Sequence, residues 1–123
     1  MRESPIFDAY GNISFAAEKA RLKNYAVQLK HAPDDRGFIL VYAGEPWDES
    51  AAKARARRAY NYLINKQGVE AKRLQWRHGG VCQQGFVNLY LLSPKQADPV
   101  PDPICSDKKS KPQRSTKPQM PQQ

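Results

Sequence analysis

Gly37-Phe38-Ile39-Leu40-Val41-Tyr42-Ala43 places six consecutive apolar side chains behind a glycine. The run is too short for a buried helix, rich in β-formers, and bounded by Asp34-Asp35 before it and Gly44-Glu45-Pro46 after it. A strand without alternation is one whose neighbours and facing layers exclude water, so this reads as the central strand of a sheet covered by helices on at least one face.

Working outward, the spacing predicts a helix from Ala16 to about His31. Leu22, Tyr25, Ala26 and Leu29 recur at i, i+3, i+4 and i+7 as one apolar stripe, while Lys19, Lys23 and Lys30 share a different one. Pro33 ends that helix, because the residue before a proline is pushed out of the α region. A second helix is expected from about Glu49 to Lys66. Its buried stripe is narrow (Ala52, Ala56, Ala59, Leu63), and Gly68 stands where a left-handed stop belongs. Strands are expected at Lys72–Arg77 and Phe86–Leu92, separated by a turn at His78-Gly79-Gly80, and a short first strand around Ile13-Ser14-Phe15. The order strand, helix, strand, helix, strand, strand makes an α+β two-layer sandwich, two helices on one face of a mixed sheet.

The 123 residues divide unevenly. Residues 1–13 read as an entry segment and 14–93 as the domain. Residues 94–123 read as a disordered basic tail holding seven of the ten prolines and almost nothing to bury. The net charge of +8 splits as 14 basic against 9 acidic side chains up to residue 93, and 6 against 3 beyond it. With mean hydropathy of −0.78 and no apolar run of about 18 residues, a membrane-spanning helix is not expected. Met1–Pro5 has no apolar core of a secretory signal. Cys82 and Cys105 lack metal-ligand spacing; they could pair in an oxidising compartment and would stay thiols in a cytoplasm. No nucleophile motif, carboxylate pair, metal set or phosphate loop is present, so neither catalysis nor a cofactor is expected.

Ile39-Leu40-Val41-Tyr42-Ala43-Gly44-Glu45, Arg55-Ala56, Tyr62-Leu63-Ile64 and Gly68-Val69-Glu70-Ala71-Lys72-Arg73-Leu74 together resemble the outer-membrane protein A-like C-terminal domain over about residues 14–92. The resemblance implies a periplasmic or cell-envelope module that binds the diaminopimelate end of a peptidoglycan stem peptide. It places Arg55 at the family's ligand arginine and Glu45 at its aspartate. A guanidinium fork and a carboxylate held together would read the carboxylate and ammonium of that terminus. Asp48 replaces the family's asparagine, Ala51-Ala52 its leucine-serine pair, and the strand–helix loop is shorter, with Pro46-Trp47 in it. Those departures imply a divergent member with a degenerate site.

The rival expectation is a cytoplasmic basic protein contacting nucleic acid or acidic partners through the second helix and the tail. Lys53, Arg55, Arg57 and Arg58 are its evidence. They straddle the alanine stripe on two flanks, as charges on a solvated helix back do, and nucleic acid is therefore the weaker expectation.

Overall fold

The computed structural model describes residues 6–101. Strand β1 (Ile6–Tyr10) leads to helix α1 (Phe15–His31), strand β2 (Arg36–Glu45) and helix α2 (Glu49–Asn65). A single 3-10 turn (Ala71–Arg73) then opens strand β3 (Leu74–Gln84), and strand β4 (Phe86–Leu92) follows. The sheet order is β1-β4-β2-β3, with β2 and β3 parallel and β4 antiparallel to both β1 and β2. The expected α+β class and element order hold. Two crossovers build it: α2 joins the adjacent parallel strands β2 and β3, and α1 joins β1 to β2 across the gap that β4 fills.

Both helix stripes are buried as their spacing requires. Leu22, Tyr25, Ala26 and Leu29 of α1 and Ala52, Ala56, Ala59 and Leu63 of α2 pack on Ile39, Val41, Val87 and Leu89. The opposite sheet face is buried as well, by Phe38, Leu40, Tyr42, Cys82, Tyr90 and Leu92. β2 is an uninterrupted apolar run for that reason. Arg36 shares the parity of Phe38 and so the second face. There it pairs with Asp98 at 2.5 Å and donates to the Gln96 carbonyl at 2.7 Å, and Pro99 nearby in the chain is buried. The stretch after residue 93 thus returns to the sheet over its described part, to Pro101.

The first strand lies earlier than the sequence suggests. Ser14 is the N-cap of α1, its Oγ accepting from the Ala17 N–H at 3.1 Å, so Phe15 is already helical. β1 occupies Ile6–Tyr10, inside the stretch expected to be an entry segment. The strand is inconspicuous in sequence because its pairing with β4 shifts register between Ile6 and Asp8. With that bulge, Phe7 and Tyr10, of opposite parity, both reach the main core.

His78-Gly79-Gly80 is no turn. β3 runs straight through it, with a register shift opposite Val41 and Tyr42. A Cβ on Gly79 would sit 2.8 Å from the Tyr42 ring, so the glycine lets the bulged strand lie flat on that side chain. The chain turns at Gly85 instead.

Arg73 closes the end of α1. Its guanidinium donates to the carbonyls of Leu29 at 2.8 Å, Ala32 at 2.9 Å and Asp35 at 2.7 Å, tying the helix end to the loop after it and adding to the backbone N–H groups that Leu29 and Ala32 also accept.

Candidate functional site

The end of β2 and the start of α2 meet the β1–α1 loop at one small cluster. Gly44 and Trp47 exchange backbone hydrogen bonds of 2.8 and 2.6 Å, which folds the Glu45-Pro46 corner tightly and carries the Trp47 side chain inward to 5% exposure. Gly85 passes directly beneath the indole: a Cβ there would stand 2.5 Å from Cε3. Asp48 then caps α2, its Oδ1 accepting from the Ala51 N–H at 2.8 Å.

Arg55 rises from the edge of the alanine stripe, half-buried, onto this corner. Its guanidinium lies over the Trp47 ring, 5.0 Å from the centroid. One Nη donates to the Asn12 side-chain oxygen at 3.0 Å and the other to the Ile13 carbonyl at 3.4 Å. The same Asn12 oxygen accepts from the Trp47 indole N–H at 3.3 Å. Arg55 is therefore oriented by neutral groups alone. Among the described residues its charge has no carboxylate partner, and a guanidinium's five donors exceed the two bonds it makes.

The acids that could have neutralised Arg55 are occupied elsewhere. Asp48 is the cap, and Glu49 approaches Lys53 at 3.8 Å and His78 at 3.6 Å. Glu45 is exposed at the strand end. Its backbone carbonyl accepts from the Gly85 N–H at 3.1 Å, and no hydrogen bond or ion pair joins its side chain to Arg55. Both expected ligand residues thus stand at one corner, Arg55 over Trp47 and Glu45 two residues before it in the chain, and among the described residues no ion pair occupies either charge.

The remaining members of the basic run have partners of their own. Arg57 lies over Trp76, with 5.6 Å to the ring centroid, and Arg58 pairs with Glu18 at 2.6 Å. Cys82 is buried and disulfide-bonded, whereas Cys105 lies outside the described residues. Among the described residues no three His, Cys, Asp or Glu side chains gather as a metal site, and no helix is long and apolar enough to cross a membrane.

Asn12 and Trp47 carry no periodic or motif signal and are not among the residues the sequence singles out as ligands. Only their places, just ahead of the two helix N-termini, could have drawn attention to them. No protein-family model matches the chain, and no curated protein matches it.

Proposed function

We propose that the chain is a non-catalytic binding domain of the cell envelope, and that its ligand is the diaminopimelate terminus of a peptidoglycan stem peptide. Arg55 takes the ligand carboxylate and Glu45 the ammonium. One observation carries this reading: the Arg55 guanidinium is held over Trp47 by Asn12 and the Ile13 carbonyl, with no acid on it among the described residues. An arginine oriented by neutral acceptors keeps its full charge and spare donors for a planar carboxylate. The exposed carboxylate of Glu45 on the same corner supplies the opposite sign that a zwitterionic end requires.

Glu45 is one methylene longer than the family's aspartate, and Ala52 stands in place of the family's serine, so weak binding is expected. The disulfide on Cys82 fits an oxidising compartment. Titration with a diaminopimelate-type muropeptide tests the reading, with a lysine-type muropeptide as the comparison. The lysine form lacks the second carboxylate at that residue and should bind at least tenfold more weakly. Equal affinity for the two, or affinity for neither, would refute it.

A further inference from the structure

On the outer side of the helix pair lies an open groove of about 570 Å³, away from the β2–α2 corner. Phe15, Lys19 and Lys23 line it from α1, spaced four residues apart and so stacked on one face. Arg58, Asn61, Tyr62 and Asn65 line it from α2, and Lys66 from the C-cap of that helix.

Four of these eight side chains are cationic and none is acidic. Arg58 is neutralised, because it donates to Glu18, a carboxylate only 1% exposed beneath the groove. Lys19, Lys23 and Lys66 are exposed and form no ion pair among the described residues. Three uncompensated ammonium groups facing one concavity repel one another, and an anion seated between them relieves that repulsion.

We propose that this groove binds an extended acidic peptide, with the lysines on its carboxylates and the two asparagines on its main chain. Asn61 and Asn65 are one turn apart, exposed, and their side chains make no hydrogen bond among the described residues. A primary amide offers both donors and an acceptor, which complements a peptide group and is half wasted on a phosphate. The lining runs over residues 15–23 and 58–66, nine positions and eight helical steps each, about 12 Å, the length of roughly four extended residues.

Nucleic acid fits less well. The Phe15 ring is already engaged by Lys19 at 4.9 Å, by Arg58 at 4.2 Å and by the edge of Tyr62 at 6.0 Å. A base would have to displace those cations in order to stack. The inference is independent of Arg55 and of its ligand.

The test is calorimetric titration of the full chain with a capped hexaglutamate peptide at low ionic strength. Three proteins are compared: the wild type, a Lys19→Gln/Lys23→Gln/Lys66→Gln variant, and a Lys53→Gln/Lys72→Gln/Lys95→Gln variant of identical net charge. All six positions are at the surface, so both variants should fold, which circular dichroism checks. The groove variant should bind at least tenfold more weakly and the control within about twofold of wild type. Equal weakening of both would reduce the effect to bulk charge and overturn the proposal, as would absence of binding by the wild type. A hexathymidylate that binds as tightly as the peptide, with the same sensitivity to the groove lysines, would overturn the choice of a peptide.

Discussion

Arg58 of α2 reaches across the helix pair to Glu18 of α1, a 2.6 Å contact to a carboxylate that is 1% exposed. The Tyr10 hydroxyl of β1 donates to the other oxygen of the same carboxylate. Three elements therefore converge on one buried charge, and none of them can leave without exposing its cost. Arg58 itself is a third exposed, which lowers the worth of the pair through solvent screening.

Removing Arg58 should hurt more than removing the pair. Arg58→Met leaves Glu18 buried without its cation and should cost about 2–4 kcal/mol, below the limit for a fully buried pair. Glu18→Leu/Arg58→Met should recover part of that loss. Urea denaturation of the single and double variants measures both. A double variant no more stable than Arg58→Met would contradict the assignment.

Tyr25 couples α1 to the sheet. Its hydroxyl donates to the Tyr90 carbonyl at 2.5 Å and accepts from the Phe38 N–H at 3.0 Å, and Gly37 leaves room for it. Tyr25→Phe removes both of these hydrogen bonds and should cost about 1–3 kcal/mol. Burial raises the ionisation of this phenol well above its ordinary value near 10, and burial followed by the Glu18 charge does the same for Tyr10. A raised folded value makes the stabilisation complete below pH 10 and progressively lost above it, as the unfolded phenols ionise and the folded ones do not. Melting temperature should fall between pH 10 and 11.5, and less steeply in Tyr25→Phe. An identical slope in the variant would refute the linkage.

Arg73 explains why α1 can stop without a glycine. Arg73→Ala takes the guanidinium from three carbonyls, of which Leu29 and Ala32 keep a backbone N–H, and should destabilise by about 1–2 kcal/mol; Arg73→Lys should restore little, because an ammonium cannot span all three. Amide exchange in the last turn of α1 should accelerate first.

What could be read ahead of the structure was periodic. The Leu22-Tyr25-Ala26-Leu29 and Ala52-Ala56-Ala59-Leu63 stripes are fully buried, and the Phe38–Ala43 run is the central strand. What escaped was aperiodic. The bulge in β1 broke the alternation that would have marked it, and Gly79 was a bulge disguised as a turn. Arg55 at the edge of the buried face was legible from helical geometry. Its holders Asn12 and Trp47 were not, since such contacts between distant segments leave no spacing to read.

The disulfide offers a separate check. Cys105 is the only other cysteine in the chain, so a Cys82–Cys105 bond would close a loop of about 20 residues and contribute roughly 3 kcal/mol. Cys105→Ser should expose one titratable thiol and lower the melting temperature by several degrees. An unchanged melting temperature would show that the loop is not held there.

In the proposed function, Arg55 offers an open, preoriented guanidinium to a ligand carboxylate. Calorimetric titration of a diaminopimelate-type muropeptide against wild type, Arg55→Lys and Arg55→Ala tests it most directly. Wild type should bind measurably, Arg55→Lys, which keeps the charge but loses the fork, at least tenfold more weakly, and Arg55→Ala not at all. Equal binding by all three would contradict it.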